Sequence, residues 1–409
     1  MPLFLFFVLK DLWVYSREKN YKDKIEWTLL EIRIPQDVLK TPKAMEYVLV
    51  ALHGVWDELN MRDTWIKGEV LPSFSLEIAG IEGEAHFFVY TQVKVRDLVE
   101  SAIYSQYPDA EIYEVEDYTN IIPPDAPNKD WDVWGSDLAL FNDDAYPLRS
   151  YEDFEEMVEE RRLDPMATLA ETINKLRKGE YIWVQIMILP NMGMLEARGN
   201  EIVGELMKRR KEQKPNSTNI LVKSATDSIA KLGESVMDAT KLNIPLGDKT
   251  EDDKDEHELL WPEMNLSPGE REVLKRVEDK KSKVAFETMI RFVYVARNDV
   301  FSRANVSGLF GFFRQFNIQS SNGFKPNSKT LPKSSFIFFK KTRTYMRKHR
   351  LINWYRRRDN MPGNISRSFL LNVEELATIF HFPGLIVKAP GMSRVESRKA
   401  PPPPTLPIE

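Results

Sequence analysis

The chain has 409 residues, 62 Asp and Glu against 57 Lys and Arg, 42 % apolar residues and no cysteine. That length and apolar content allow two or three domains with real cores. A net charge of −5 argues against a chain devoted to wrapping nucleic acid, and the missing cysteines exclude disulfides and thiolate metal sites.

Residues 2–9 are almost wholly apolar (Leu3, Phe4, Leu5, Phe6, Phe7, Val8, Leu9) before Lys10-Asp11 interrupts. The run is less than half of the roughly 20 apolar residues that cross a bilayer, and it lacks the leading charge and cleavage site of a signal peptide. Lys10, Arg17, Lys19, Lys22 and Lys24 follow, the kind of charge that stays on the cytoplasmic side. Three readings stay open: the exit of a transmembrane helix that starts upstream of Met1, an interfacial anchor with Trp13 and Tyr15, or an element packed into a core. Residues 1–25 are set apart as a membrane-proximal segment.

Residues 26–120 read strand, helix, strand, strand, helix, strand. Residues 27–34 are rich in β-formers and end at Pro35. Thr41-Pro42 supplies an N-cap and a first-turn proline, after which Ala44, Tyr47, Val48, Ala51, Leu52 and Val55 keep helical spacing. Phe74, Leu76 and Ile78 alternate with Ser73, Ser75 and Glu77, as in a half-buried strand, and residues 81–84 turn into a second strand at 85–91. Val95, Leu98, Val99, Ala102 and Ile103 mark a helix stopped by Pro108-Asp109, and 110–118 is the last strand. This order predicts a split-βαβ, ferredoxin-like unit with both helices on one face, a fold that by itself indicates no function.

A proline- and aspartate-rich connector, 121–132, leads into residues 131–335, which read as a second ferredoxin-like unit. Strands are predicted at 138–141, at 181–189 (apolar enough to be buried on both faces), at 284–296 and near 319–324. Helices are predicted from Asp164-Pro165 through Leu176 and over 306–316. Between the two middle strands lies an insertion of about 192–281, bounded by turn and breaker signals. It opens with a charged helix at 195–211. Val222, Ala225, Ile229, Leu232, Val236 and Ala239 then form a narrow 3-4 seam, and the acidic run 251–258 reads as a solvated segment rather than a calcium loop.

Between Lys325 and Arg358 there are twelve Lys or Arg and no Asp or Glu. Residues 336–384 are predicted to hold a basic helix and a capping segment, followed by a proline-rich tail at 385–409. Lys340, Lys341, Arg343, Arg347, Lys348, Arg350, Arg356, Arg357 and Arg358 share the helix with Phe338, Phe339, Tyr345, Trp354 and Tyr355. Cations with interleaved aromatics suit DNA phosphates and bases or an anionic membrane, and a solvated helix face with an aromatic core side explains the spacing equally well.

Catalytic signatures are missing from the sequence: it has no G-x-x-x-x-G-K-[ST], no H-E-x-x-H and no G-x-S-x-G, and Gly308-Leu309-Phe310-Gly311 runs into Phe312-Phe313. His53, His86, His257, His349 and His381 share no ligand spacing. The expectation is a non-catalytic chain without metal or cofactor.

Two stretches carry a family resemblance. The first comprises Trp27–Pro35, Thr41-Pro42-Lys43-Ala44-Met45-Glu46, Leu52-His53-Gly54, residues 99–108 and Glu114-Val115-Glu116-Asp117-Tyr118. The second runs from Leu371-Asn372-Val373-Glu374-Glu375 through Pro383-Gly384 and includes Arg398-Lys399-Ala400-Pro401-Pro402. Together they resemble the N-terminal, pre-motor region of type IV secretion or conjugation-type coupling ATPases of small-genome bacteria. The resemblance implies a docking module on the cytoplasmic face of the inner membrane, beside a hexameric motor that moves DNA or protein. Its partners would be the ATPase motor domain or subunit, the membrane at the N-terminus, DNA and further copies of the chain. No nucleotide site carries over to any residue. Locally, Asn372 and Glu375 have the spacing of a capping box. The alternative is a free-standing single-stranded nucleic-acid-binding protein using Phe87, Phe88, Tyr90 and Tyr113 on ferredoxin-like sheets, without the RNP signature.

Overall fold

A computed structural model describes residues 2–35, 40–154, 164–212, 266–333, 338–358 and 368–383. The chain starts with one helix, α1 (Pro2–Lys22), and the β-rich run that follows forms β1 (Trp27–Arg33). Thr41 sits at the N-cap of α2 (Pro42–His53) in an extended conformation; proline opens the helix as expected, but the threonine hydroxyl makes no capping hydrogen bond. β2 (Phe74–Ile81) and β3 (Glu84–Gln92) meet at Glu82-Gly83, whose positive φ angles of 50° and 101° match the twist of a two-residue hairpin. α3 (Arg96–Gln106) and β4 (Glu111–Glu114) complete the first series. β4 is shorter than the sequence predicts, because the Asp117 carboxylate accepts the Thr119 N–H and turns residues Tyr118–Ile121 into a 3-10 turn.

The second series is β5 (Trp131–Leu140), α4 (Met166–Asn174) and β6 (Glu180–Asn191), then α5 (Met194–Glu212) and α6 (Pro268–Lys281) at the two ends of the insertion. It resumes with β7 (Ala285–Arg297), α7 (Arg303–Arg314) and β8 (Phe324–Pro326). β5 starts seven residues before the predicted strand. Trp131–Asp137 pairs in unbroken register with Arg297–Arg291, although Asp132, Gly135, Ser136 and Asp137 disguise it as loop. The 222–239 seam, the 251–258 acidic run and the 385–409 tail lie outside the described residues.

All pairings are antiparallel. The strand order is β4-β1-β3-β2-β6-β7-β5-β8, with β9 (Phe369–Asn372) added to β7. Each half, β4-β1-β3-β2 and β6-β7-β5-β8, is compatible with a split-βαβ unit. The class is α+β. The predicted stretches 26–120 and 131–335 share one sheet, because β2 and β6 pair from Phe74↔Ile188 to Ile81↔Tyr181.

One face of that sheet carries α2, α3, α4, α7 and the short α9 (Val373–Ile379). Their apolar stripes, including Leu49, Val99, Leu169, Leu309 and Leu376, bury against Leu30, Ile78, Ile182 and Phe292. On the other face α8 (Lys340–Arg356) lays Leu351, Ile352 and Tyr355 on Phe88, Val133, Trp183 and Val293. Burying each such aliphatic side chain stabilises by about 1.5–3 kcal/mol. Met1–Glu196 with Asp279–Glu409 form one compact unit and Ala197–Glu278 a second.

Candidate functional site

Under α8 the sheet presents a row of cross-strand neighbours that is polar where a core should be apolar. Glu31 of β1, Phe88 of β3, Glu77 of β2, Gln185 of β6, Arg291 of β7 and Asp137 of β5 are successive register partners. All six are buried. A charge in that position is stable only if hydrogen bonds replace its water.

Glu77 meets that condition. Its carboxylate accepts from Ser75 Oγ at 2.7 Å, Tyr118 Oη at 2.8 Å, Gln185 Nε2 at 2.9 Å and Arg358 Nε at 2.9 Å. Arg358, just past the end of α8, also pairs with Asp117 and lies 4.2 Å from the Tyr90 ring centre. Tyr355 Oη is 2.7 Å from Tyr118 Oη, and burial with the Glu77 charge pushes both phenols well above their ordinary value. Burial pushes the Asp117 carboxyl up, but Arg358 and the Thr119 N–H outweigh it and leave it below the ordinary carboxylate range. The cluster is a clamp that fixes the end of α8 to the sheet.

At the other side of the row, Arg291 Nε donates to Asp137 Oδ1 at 2.6 Å with both side chains fully buried. The Trp354 ring lies 5.7 Å from the Arg291 guanidinium carbon. Glu31 accepts from Arg33 and pairs with His86 Nδ1, each at 2.8 Å. A further cluster lies where α9 packs on α2: Lys283 bridges Glu374 at 2.7 Å and Glu46 at 3.3 Å, and Tyr151 Oη donates to Glu46 at 2.7 Å. Among the described residues no three His, Asp or Glu are grouped to hold a metal ion.

The nine predicted contact residues fall into two sets. Arg347 donates to the carbonyls of Leu331 and Lys333, Lys348 pairs with Asp132, and Arg356 donates to the carbonyls of Ile122, Pro123 and Pro124. With Arg358 these four fasten the helix to its own chain. Lys340, Lys341, Arg343, Arg350 and Arg357 are exposed, with the Arg350 guanidinium 5.8 Å from the Trp354 ring centre. Phe338, Phe339, Tyr345 and Met346 are exposed beside them, and Phe339 adopts a left-handed φ of 55°, rare for an aromatic residue. Of the aromatics named for the sheet, Phe87 is in the helix-side core, Phe88 stacks on Tyr118, and Tyr90 lies between Trp27 and Arg358. Tyr113 is exposed on β4.

Sequence reasoning missed Glu77, Asp117, Asp137 and Arg291 as an ensemble. The available signal was Glu77 and Arg291 inside otherwise apolar strands. The predicted capping box is present: Asn372 Oδ1 accepts the Glu375 N–H at 2.9 Å and Glu375 Oε2 the Asn372 N–H at 3.3 Å.

α1 bears on a shallow cleft of about 300 Å³ lined by Lys10, Asp11, Val14, Tyr15, Glu18, Thr64 and Trp65. Among the described residues no helix is long and apolar enough to cross a membrane. A family of domains of unknown function, DUF8128, matches residues 16–394. No curated protein matches the chain.

Proposed function

We propose that the chain, which belongs to the DUF8128 family of domains of unknown function, is a non-catalytic, membrane-proximal docking module working beside a type IV secretion-like DNA or protein translocation ATPase. The observation that carries the docking part is the division of α8. Lys348 and Arg358 hold the helix to the sheet, and Arg347 and Arg356 hold it to loop carbonyls, while Lys340 and Lys341 beside Phe338 and Phe339 at its start, and Arg350 and Arg357 toward its end, face solvent. A surface with one sign of charge and exposed aromatics suits an acidic or phosphate-bearing partner. The membrane part is supported by α1, which exposes Leu9, Leu12, Trp13 and Tyr15 directly after its apolar first turns. The link to a motor rests on the resemblance of residues 27–35, 41–46, 52–54, 99–108, 114–118, 371–384 and 398–402.

The test is the full chain carrying Lys340→Glu, Lys341→Glu and Arg357→Glu, measured against any P-loop ATPase found in a neighbouring reading frame, a labelled oligonucleotide and anionic vesicles. Binding of the motor subunit that weakens with salt and disappears in the triple variant, at unchanged thermal midpoint, is expected. Wild-type binding by the triple variant would remove α8 from the reading. Nucleotide turnover by the purified chain, or neighbouring reading frames without a G-x-x-x-x-G-K-[ST] motif, would count against the whole of it. The second reading, a free-standing single-stranded nucleic-acid binder, draws on Phe338, Phe339 and Tyr345 beside Lys340 and Lys341. It would have to use the outer side of α8, because Phe88 and Tyr90 are covered.

A further inference from the structure

The 60–68 segment is tied to α1 by direct contacts. Trp13 Nε1 donates to the Trp65 carbonyl at 2.9 Å, and the Lys10 ammonium lies 5.1 Å from the Trp65 ring centre. Gly68 turns with a φ of +68°, so near to the helix that a Cβ there would lie 2.3 Å from the Arg17 carbonyl carbon. Within the segment, Asp63–Lys67 forms a π-helical turn closed by a Lys67–Asp63 ion pair at 2.7 Å. Helix and segment therefore make one platform.

That platform shows solvent six large apolar side chains: Leu9, Leu12, Trp13 and Tyr15 from α1, and Met61 and Ile66 from the segment. Each is between 53 and 70 % exposed. An apolar patch of this kind on a folded protein marks an interaction surface.

The arrangement of residue types says what the surface meets. A helix that docks in a protein groove segregates apolar and polar residues by face. In α1 the segregation runs along the axis instead. Leu3 to Leu9 are apolar at every position, Trp13 and Tyr15 come next, and Arg17, Lys19 and Lys22 follow. Over 21 residues, about 31 Å of helix, this is the order of hydrocarbon, headgroup boundary and aqueous phase. Nearby charges are partly matched within the platform, Lys22 with Glu18 and Lys67 with Asp63 and Glu69. Lys10 and Arg17 instead lie over the rings of Trp65 and Trp13, leaving positive charge that an anionic headgroup layer would meet.

We infer that the 60–68 segment is a second membrane contact, with Met61 and Ile66 entering the bilayer boundary alongside Leu9 and Leu12 of α1. The inference rests on the membrane-proximal reading of α1 and adds to it a discontinuous partner that fixes how the sheet is held at the membrane. Insertion reaches roughly 5–10 Å below the headgroup level, the depth usual for interfacial apolar side chains.

The chain's lack of cysteine makes the test clean. Leu12→Cys, Met61→Cys, Ile66→Cys and, as control, Tyr47→Cys on the exposed side of α2 are each labelled with a polarity-sensitive fluorophore in the full chain. Phosphatidylcholine vesicles, with and without phosphatidylglycerol, are then added. A blue shift at 12, 61 and 66 but not at 47 is the expected result. A shift at 12 alone overturns the second contact and leaves the helix at the membrane. No shift at 12 removes both, and a shift at 47 as well identifies nonspecific adsorption and also overturns the inference. Unlabelled Met61→Glu and Ile66→Glu should each lower vesicle partitioning about tenfold or more. Partitioning unchanged in both would overturn the inference too.

Discussion

Replacing Arg358 with Met removes one charge from the clamp beneath α8 while keeping much of the side-chain stem over Tyr90. Glu77 is then a fully buried carboxylate without its cation, a situation that typically costs 3–5 kcal/mol. Ser75, Tyr118 and Gln185 still donate to it, so the loss should fall near the lower end, about 3 kcal/mol. Urea unfolding followed by near-ultraviolet circular dichroism reads this as a lower midpoint at unchanged slope. Glu77→Leu should cost a similar amount, because it leaves Arg358 with Asp117 alone. The double variant, with both charges gone, should be less destabilised than the two single losses summed, by roughly 2 kcal/mol. The pH dependence has a definite sign. A carboxyl held below its ordinary value in the folded state, as Asp117 is by Arg358, contributes fully above its unfolded value near 4 and loses that contribution as pH falls through the folded value. The gap between wild type and Arg358→Met should be steady at neutral pH and narrow below about pH 4. A loss under about 1 kcal/mol, or strict additivity in the cycle, would refute the clamp.

Three further outcomes follow from local geometry. Asn372→Ala removes the capping box of α9 and should cost about 1–2 kcal/mol in the same unfolding measurement. Lys280→Met should cost more, about 3 kcal/mol, since it strands Glu375, whose carboxylate pairs with Lys280 at 2.9 Å in a buried site. Gly68→Ala places a Cβ against the Arg17 backbone at a left-handed φ; limited proteolysis should then cut within 10–24 faster, with the unfolding midpoint of the sheet unchanged.

Periodicity located most of the strands and helices, and the order of elements in each half was readable from it. The meaning of the alternation in β2 was not. Ser75 and Glu77 occupy the positions a half-buried strand gives to water, yet β2 is buried on both sides, because α8 covers the second face. What makes Glu77 tolerable there is Arg358, 281 residues away, and no local pattern announces a partner at that distance. The same blindness affects Arg356-Arg357-Arg358. As sequence they are one patch of charge; in the fold only Arg357 is exposed, while its neighbours reach the 122–124 carbonyls and Glu77. By contrast, the continuous apolar run at 181–189 announced a doubly covered strand correctly, since Tyr181 to Ile188 are all buried.

The joint between β2 and β6 has a consequence for symmetry. Both are the second strand of their own series, and they run antiparallel, so the two halves meet as like subunits do across a two-fold axis. The frame is that of a homodimer written into one polypeptide. Two separate copies would have to carry identical attachments, whereas a fused pair can let its halves diverge. Here only the second half bears an insertion between its middle strands, and one α8 spans a face that two equal subunits would have had to share. Because the two halves share one polypeptide, the sheet has a single front where two equal subunits would have two equivalent ones.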